Sequence, residues 1–171
     1  MKTCIVGASG YSGQELVRLL AGHPLVELTA VTSRSLAGQK VEEALPALRG
    51  KLDDLTFVSS DPSDVSSLDA EVFFLALPHG AASQYAEALV RADKKVIDLS
   101  ADFRLGSAEL YEQYYGEVHP APDLLAQAIY GLPELHELSW DKSPLIASPG
   151  CYPTSILIPL VPLLEAGLVE P

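Results

Sequence analysis

The chain has 171 residues, 48% of them hydrophobic, and a mean hydropathy of +0.20, which favours a folded globular domain over a disordered chain. Its 23 acidic residues outnumber 11 basic ones, giving a formal net charge of −12. This charge argues against nucleic acid or an anionic membrane as the main partner. Any bound phosphate must therefore be held by local groups, because the overall field opposes it.

The cysteine count and the hydropathy pattern indicate a reduced, cytoplasmic protein. Cys4 and Cys151 are too few for a disulfide framework. A strand-like segment follows a single lysine at the N-terminus, which is not a signal-peptide pattern. The apolar run 155–164 is too short to span a membrane. We expect no membrane segment and no metal site.

The first predicted strand, residues 1–6, runs into a turn with regularly spaced glycines. Gly7, Gly10 and Gly13 form G-x-x-G-x-x-G, a variant of the dinucleotide-binding fingerprint, and an amphipathic helix is predicted over 14–21. The first glycine permits the tight turn, the second lets the backbone approach a pyrophosphate, and the third lets helix and strand pack closely. The pattern favours a dinucleotide site, with a purely structural turn as the alternative.

The second predicted strand, residues 26–32, is followed by Ser33, Arg34 and Ser35. Folds that bind NAD usually carry an acid at this position, whereas an arginine accommodates the 2′-phosphate of NADP. Neighbouring hydroxyl groups add further donors to a phosphate. We therefore predict NADP as the cofactor. A solvated surface arginine is the alternative.

The rest of the chain alternates between strand and helix patterns. Strands are predicted over 71–77, 95–99 and 144–148, with a helix over 81–92. The continuous apolar run at 71–77 is typical of a parallel strand covered on both faces. The alternation predicts an α/β fold, a Rossmann-like doubly wound and mostly parallel sheet. Residues 107–122 are expected to form an irregular loop over the carboxyl edge of the sheet, where ligands bind in such folds.

The most informative segment is S-P-G-C-Y-P-T, residues 148–154. It follows a predicted strand and precedes a helix predicted over 154–165. Cys151 is therefore expected at or just before a helix N-terminus, where unpaired N–H groups and the helix dipole favour a thiolate. This context predicts a nucleophilic cysteine. A small, buried and inert cysteine is the alternative.

Together these motifs resemble the N-acetyl-gamma-glutamyl-phosphate reductases, NADPH-dependent enzymes of arginine biosynthesis related to aspartate-semialdehyde dehydrogenase. The matching segments are G-A-S-G-Y-S-G (7–13), T-S-R-S (32–35), A-L-P-H-G (76–80), D-L-S-A-D-F-R (98–104), Y-G-L-P-E (130–134) and S-P-G-C-Y-P-T (148–154). They follow the family's order over nearly the whole chain. The related reductase that acts on the aminoadipyl homologue in lysine biosynthesis has similar motifs and stays open.

The resemblance implies reductive dephosphorylation of a small acyl phosphate, N-acetyl-gamma-glutamyl phosphate, to its semialdehyde. Cys151 would carry a thioester that accepts hydride from NADPH. The implied cofactor-binding residues are Gly7, Ser9, Gly10, Tyr11, Ser12, Gly13, Ser33, Arg34, Ser35, Pro78 and His79. A surface histidine at a helix start is the alternative for His79. Arg104 and Glu134 are candidate substrate contacts; for Arg104, a structural pair with Asp98 or Asp102 is equally compatible with the sequence, and Glu134 falls in a predicted turn.

Family members continue past the cysteine helix into a second domain that supplies a catalytic histidine and the contacts of an oligomer. We therefore expect residues 1–148 to form an NADP-binding domain and 149–171 to begin a substrate domain, in a protein that is homo-oligomeric when complete. No histidine follows Cys151, so the isolated chain should bind NADP with little or no turnover. The four histidines are His23, His79, His119 and His136. A catalytically silent NADP-binding module is the competing hypothesis.

Overall fold

The computed structural model describes residues 1–52, 54–135, 137–138 and 141–170. Within them lie the strands β1 (Lys2–Val6), β2 (Glu27–Thr32), β3 (Phe57–Val58), β4 (Val72–Leu75), β5 (Lys95–Asp98), β6 (Ile129–Tyr130) and β7 (Leu145–Ala147). They form one sheet in the order β3-β2-β1-β4-β5-β7-β6, and each neighbouring pair is parallel. The predicted doubly wound α/β sheet is confirmed.

The strands alternate with helices of very different lengths. The helices among the described residues are α1 (Tyr11–Leu20), α2 (Val41–Ala44), α3 (Pro62–Val65), α4 (Ala82–Arg91), α5 (Ala108–Tyr115), α6 (Pro122–Leu125) and α7 (Cys151–Glu165), and a 3-10 turn covers Pro46–Leu48. None of them is both long and apolar enough to cross a bilayer. Pro159 and Pro162 lie inside α7, which continues through both.

Both faces of the central sheet are buried, as a doubly wound fold requires. Successive side chains of a strand point to opposite faces, and along β1 Val6 joins one apolar cluster, with Phe73 of β4 and Leu89 of α4. Ile5 joins the other cluster, with Val17 of α1 and others. The core therefore lies in two layers, one on each side of β1 and β4.

The direction in which successive strands are added to the sheet reverses between β1 and β4. The chain winds outward from β1 to β2 and β3, and then returns across the sheet to β4 on the other side of β1. In such folds ligands bind outside the carboxyl ends of the strands at this switch point. The turns that leave β1 and β4 are therefore the first place to look for a site.

The prediction of an irregular loop over 107–122 is wrong, because this segment contains helix α5. The Ser107 hydroxyl accepts a hydrogen bond from the N–H of Leu110 at 3.2 Å and so caps the N-terminus. Gly116 ends the helix in a left-handed conformation, with φ of 75°. Tyr111 anchors it with a side chain that is only 1% exposed. The cap and the terminal glycine were both visible in the sequence, but the exposed tyrosines hid the helical period.

Candidate cofactor and thiol site

The glycine turn after β1 is shaped by steric limits at two of its three glycines. Gly7 has a φ of +84°, and a Cβ there would lie 2.5 Å from the carbonyl oxygen of Ala76. A Cβ on Gly13 would overlap the backbone of Gly7 and Ala8. Gly10 differs: it is exposed, and a Cβ there would make only an ordinary contact, at 3.5 Å. No contact in the fold requires glycine at position 10, and a ligand could approach the backbone there without meeting a side chain.

Helix α1 begins immediately after this turn with no side-chain cap and no acidic residue in its first turn. The N–H groups of Tyr11, Ser12 and Gly13 have no acceptor among the described residues. The first N–H of the helix that bonds back to the turn is that of Gln14, which donates to the carbonyl of Gly10 at 2.8 Å. Such a helix start attracts an anion. The geometry therefore fits the pyrophosphate of a dinucleotide.

A cavity of about 300 Å³ lies in front of the turn, between the carboxyl ends of β1, β2 and β4. Its lining comprises Gly7, Ser9, Gly10, Ser33, Arg34, Ser35, Ser60, Ala76, Leu77 and Pro78. Most of the predicted cofactor-binding residues are thus brought together. Tyr11 lines a separate groove between α1 and the 3-10 turn, and Ser12 lines the cleft of Cys151.

Ser33 ties the glycine turn to the loop that carries Arg34. The buried Ser33 hydroxyl donates to the hydroxyl of Ser9 at 2.9 Å and accepts from the N–H groups of Ser35 and Leu36 at 3.3 and 3.2 Å. Arg34 is exposed, and no described residue forms an ion pair with it. A cation held beside the cavity and left unpaired fits the 2′-phosphate of NADP.

Cys151 is the first residue of α7 and is exposed. It opens onto a cleft of about 510 Å³, whose lining comprises Ser12, Leu99, Arg104, Ser148, Pro149, Gly150, Cys151, Tyr152 and Pro153. Ser12 belongs to the first turn of α1, so two helix N-termini meet at this cleft. The other cysteine, Cys4, is fully buried in β1, and burial raises the pKa of its thiol to about 12.

Arg104 holds the backbone that precedes the cysteine. Its Nε donates to the carbonyl of Ser148 at 3.0 Å and its Nη2 to the carbonyl of Leu99 at 2.9 Å. A Cβ on Gly150 would lie 2.9 Å from its Nη1, so Arg104 reaches the turn itself. Among the described residues no carboxylate lies within ion-pair distance of Arg104, so the structure shows no direct Asp–Arg ion pair, although the Arg104 charge still lowers the pKa of Asp98.

Asp98 ends β5 directly below this loop. Burial raises the pKa of its carboxyl group to about 6, although hydrogen bonds from the N–H and hydroxyl of Ser100 lower it in part. The Asp98 carbonyl accepts from the N–H of Ser148 at 2.8 Å. Strand β5 and Arg104 together fix the entry into α7.

Asp102 is fully buried and caps a helix from a different part of the chain. Its carboxylate accepts from the N–H groups of Gly80, Ala82 and Ser83 at 2.7, 3.0 and 3.2 Å, at the start of α4. Sequence reasoning missed this role. The chain carries an acid soon after a strand, but only the three-dimensional fold shows which helix it caps.

The same carboxylate orients His79, whose Nδ1 lies 2.9 Å from Asp102 Oδ1. The imidazole ring stacks against Tyr115, with ring centroids 4.5 Å apart, and its Nε2 lies 3.4 Å from the hydroxyl of Tyr111. His79 lines neither the cofactor cavity nor the cleft of Cys151. Its neighbour Pro78 does line the cofactor cavity.

His119 is buried with both ring nitrogens in use. Nδ1 accepts from the N–H of Ala121 at 3.0 Å, so Nε2 carries the proton and donates to the carbonyl of Asp102 at 2.9 Å. Desolvation lowers the pKa of His119. His136 lies outside the described residues, and no histidine of the described chain lines the Cys151 cleft. Glu134 is exposed in the turn after β6 and is likewise absent from that lining.

Comparison with known proteins agrees with this geometry. Residues 2–142 match the family model described as "Semialdehyde dehydrogenase, NAD binding domain". The chain belongs to this family. It is also 51% identical to an N-acetyl-gamma-glutamyl-phosphate reductase of Akkermansia muciniphila, covering 100% of this chain and 50% of the relative. A reductase of the same name from Nitrosococcus oceani is 48% identical, over 100% of this chain and 49% of the relative.

The chain spans about half the length of these curated relatives. Among solved structures it resembles aspartate semialdehyde dehydrogenase from Candida albicans, determined with NADP, at a TM-score of 0.65 and 20% identity, over 96% of this chain and 46% of that one. Aspartate semialdehyde dehydrogenase II from Vibrio cholerae gives a TM-score of 0.66 at 17% identity, over 96% and 42%. At these identities the structures establish the shared fold. The resemblance inferred from the motifs and the NAD(P)-binding fold are confirmed.

Proposed function

We propose that this chain binds NADPH and supplies the nucleophile for reductive dephosphorylation of N-acetyl-gamma-glutamyl phosphate to N-acetylglutamate semialdehyde. The observation that carries the proposal is the position of Cys151. It is exposed at the first residue of α7, in a cleft that the start of the cofactor helix also lines through Ser12. The names of the relatives support the choice of acyl group.

In the first step the Cys151 thiolate attacks the acyl carbon of the substrate. The bond from that carbon to the phosphate oxygen breaks, inorganic phosphate leaves, and a thioester forms on the sulfur. The N–H groups of Cys151 and Tyr152 have no acceptor among the described residues. Pro153 has no N–H, and that of Thr154 already binds the carbonyl of Gly150 at 3.0 Å. These two free donors at the helix start would stabilise the oxyanion.

Bound NADPH would supply the hydride that reduces the thioester carbonyl in the second step. The carbon–sulfur bond would then break, with Cys151 leaving as the thiolate and the aldehyde released. Gly10 and the first N–H groups of α1 would hold the pyrophosphate, and Arg34 the 2′-phosphate. Arg104 uses two nitrogens on backbone carbonyls. We assign its remaining nitrogen, Nη1, to an anionic group of the substrate.

We also propose that residues 1–148 form the cofactor domain and that 149–171 begin the substrate domain; Pro171 lies outside the described residues. No described residue of α7 is buried, although the helix is mostly apolar. In a working enzyme its face would be covered by sequence corresponding to the unmatched half of the relatives. That half would also supply the general acid–base group and the contacts of a homo-oligomer.

The test is the first half-reaction, because acylation requires the nucleophile but not hydride transfer. The 171-residue chain is incubated with N-acetyl-gamma-glutamyl phosphate, and the adduct is located by mass spectrometry while released phosphate is measured. We expect one acyl group per chain on Cys151, with an equal amount of phosphate, and the same result for Cys4→Ser. Cys151→Ser should give none.

A folded chain that binds NADPH but is never acylated would favour the catalytically silent module instead. Faster acylation by the aminoadipyl homologue would move the substrate assignment to that compound.

A further inference from the structure

The segment D-L-S-A-D-F-R, residues 98–104, contains two buried polar side chains that the proposed reaction leaves unused. Asp102 caps α4 and Arg104 lines the cleft of Cys151. The side chains of Asp98 and Ser100 are both buried, and neither residue lines that cleft or the cofactor cavity. A buried carboxylate destabilises a fold unless it is hydrogen-bonded, so the hydrogen bonds of Asp98 are the first place to look for a role.

Asp98 holds Ser100 with both of its carboxylate oxygens. Oδ1 accepts from the N–H of Ser100 at 3.0 Å, and Oδ2 accepts from its hydroxyl at 2.8 Å. The Ser100 hydroxyl oxygen in turn accepts from the N–H of Asp102 at 3.1 Å. Because these bonds join residues two apart, they close the chain into a tight loop after β5. The shape of that loop depends on the Asp98 carboxylate.

The guanidinium group of Arg104 joins this loop to the cysteine turn. Its Nη2 donates to the carbonyl of Leu99, the residue directly after Asp98. Its Nη1 lies beside Gly150, the residue directly before Cys151. One side of the guanidinium group is therefore held by the loop and the other faces the turn that carries the thiol. A change in the shape of the loop changes the distance between the guanidinium group and the sulfur.

The hold on Ser100 depends on the charge of the Asp98 carboxyl group. The ionised group accepts at both oxygens, whereas protonation turns one oxygen into a donor. The hydroxyl hydrogen of Ser100 then loses its acceptor, and the loop loses one of the bonds that close it.

The surroundings of Asp98 bring this change of charge near neutral pH. Burial raises the pKa of Asp98 to about 6, hydrogen bonds to the carboxylate oppose the rise, and of the nearby charges Asp102 adds to it and Arg104 opposes it. The residues paired with Asp98 on the neighbouring strands, Leu75 of β4 and Ala147 of β7, are uncharged.

We propose that the Asp98 carboxylate positions the guanidinium group of Arg104 beside the Cys151 thiol, acting through the hydroxyl of Ser100; this rests on the proposed function, which makes Cys151 the nucleophile. Asp98 itself touches neither substrate nor cofactor and is a positioning residue. Ionised Asp98 keeps the anion-binding nitrogen of Arg104 at the thiol. Protonation loosens the loop and moves that nitrogen away, so the cleft takes an anionic acyl donor best when Asp98 is ionised.

The test measures how strongly the Cys151 thiol prefers an anionic reagent. The 171-residue chain is alkylated with iodoacetate and, separately, with iodoacetamide, from pH 8 down to about pH 5.5, on both sides of the pKa of Asp98. Peptide mapping at timed intervals gives the rate at Cys151. Both reagents react with the thiolate, so the thiolate fraction cancels in the ratio of the iodoacetate rate to the iodoacetamide rate. The ratio reports the attraction of the cleft for a negative charge.

In the unmodified chain this ratio should fall about threefold to tenfold on acidification, the effect of one charge pair near the surface. A direct effect of charge has the opposite sign, because every protonation adds positive charge and by itself favours the anion. A fall therefore requires a change in geometry.

Three variants test the path from the carboxylate to the thiol. Asp98→Asn should give the low ratio at every pH although it removes a negative charge. Ser100→Ala should give a low ratio at pH 8 although it keeps that charge. Arg104→Gln should give the low ratio throughout. Asp69→Asn is the control, because Asp69 is an exposed acid that pairs with Lys2 at the start of β1, and it should behave like the unmodified chain.

Thermal unfolding separates positioning from a purely structural role. Asp98→Asn removes a buried charge, so its Tm should not fall although its ratio does. Cys4 is fully buried in β1 and should stay unlabelled in each variant, which shows that the chain is folded during the measurement. Ratios that fall only where the Tm falls or where Cys4 becomes labelled would overturn the proposal.

A ratio that stays constant or rises on acidification of the unmodified chain would also overturn it, and so would an acid transition that persists in Asp98→Asn. The proposed function fails separately. If the ratios behave as expected but the acyl phosphate never acylates Cys151, the positioning role of Asp98 stands and the assigned reaction does not.

Discussion

Strand β4 and helix α7 are both almost wholly apolar, yet one is buried and the other is exposed. In β4, Val72, Phe73 and Leu75 are at most 1% exposed. In α7, Ile156 and Leu163 are 55% and 40% exposed, and no described residue of the helix is buried. The central sheet and its flanking helices thus bury their own apolar surface, whereas the helix that carries Cys151 presents an apolar face of the kind that marks an interaction surface.

The start of α7, unlike the rest of the helix, is held in place by the sheet. The turn before Cys151 is fixed by the carbonyl of Asp98 and the guanidinium of Arg104, both of which bind Ser148. The sheet therefore sets the position of the thiol, whereas the body of the helix leaves its apolar side chains exposed. Five experiments test this division, in order of decreasing effect.

Turnover by the isolated chain tests whether the described parts suffice for catalysis. No described imidazole lines the thiol cleft, and general acid–base help alone is worth about 10²- to 10⁴-fold, with substrate positioning adding more. We expect phosphate-dependent NADP⁺ reduction with N-acetylglutamate semialdehyde to be near background. NADP⁺ binding should be retained. A rate typical of a working enzyme would mean that the base lies among His79 and the carboxylates.

Thiol reactivity compares the two regions directly, since each contains one cysteine. Cys4 is fully buried in β1 and its pKa is raised to about 12, so its thiolate is on the order of a thousandfold scarcer than that of an ordinary cysteine with pKa ~8.5. Iodoacetamide at pH 8 should therefore modify Cys151 at least about a thousandfold faster. Peptide mapping at timed intervals measures both rates, with urea-unfolded chain as the control. Faster labelling of Cys4 would contradict the nucleophile assignment.

The pH dependence of stability tests the anchor below the cysteine turn. Burial raises the pKa of Asp98 from 3.8 to about 6, so the folded state binds the proton more tightly, and the contribution of Asp98 to stability is fully present below pH 4 and is lost as the pH rises through about 6. Asp98→Asn should remove this loss, gaining up to about 3 kcal/mol in free energy of unfolding relative to the unmodified chain between pH 4 and 7.

Asp61→Asn is the matched control for that experiment. The hydroxyl and the N–H of Ser63 lower the pKa of Asp61, so its contribution is present above pH 4 and is lost on acidification. The two variants should therefore deviate from the unmodified chain in opposite directions. Parallel profiles would show that Asp98 is not the titrating group.

The preference for NADPH over NADH tests the predicted phosphate site at Arg34. NADPH should bind more tightly than NADH, and Arg34→Ala should remove about tenfold of that preference, or ~1.4 kcal/mol. Arg91→Ala is the control, because Arg91 pairs with Glu87 on the surface of α4 at 2.6 Å, and it should leave both affinities unchanged. Equal affinities for the two cofactors in the unmodified chain would refute the 2′-phosphate site.

Introducing charged side chains on the apolar face of α7 gives the smallest expected change in stability. Ile156 and Leu163 are seven residues apart and so share one helix face. Ile156→Glu with Leu163→Glu should change the free energy of unfolding by less than about 0.5 kcal/mol while reducing self-association in analytical ultracentrifugation. Leu25→Glu, at a site that is 74% exposed, should alter neither. A large loss of stability in the double variant would mean that α7 packs on the sheet.

The sequence was sufficient for the features that depend on neighbouring residues. The strand, glycine turn and helix at the N-terminus, the apolar strand β4 and the helix after Cys151 were all predicted, because periodicity and glycine spacing are local signals. The helix starts were less accurate: α1 begins at Tyr11 and α7 at Cys151, three residues before each predicted start. In both cases the first turn contains residues that the sequence pattern assigned to the preceding loop.

Features that depend on distant residues were not predicted. The edge strand β6 has only two residues and forms because β7 is available to pair with it. Asp102 caps α4 across 19 to 22 residues of chain, and Arg104 binds a carbonyl 44 residues away. Ser60 matches no motif, and the buried hydroxyl that finds no partner among the described residues is visible only in the structure.

The two prolines inside α7 would constrain how the proposed substrate domain packs on that helix. Proline has no N–H, so the carbonyls of Ser155 and Ile158, four residues before Pro159 and Pro162, lack their usual helical donors. A smooth apolar ridge would let a partner surface slide along it with little change in energy. Two acceptors fixed among the apolar side chains penalise every alignment that leaves them dry and unpaired. In the proposed complete enzyme the prolines would therefore favour one register of docking, and with it one distance between the thiol and the groups that meet it.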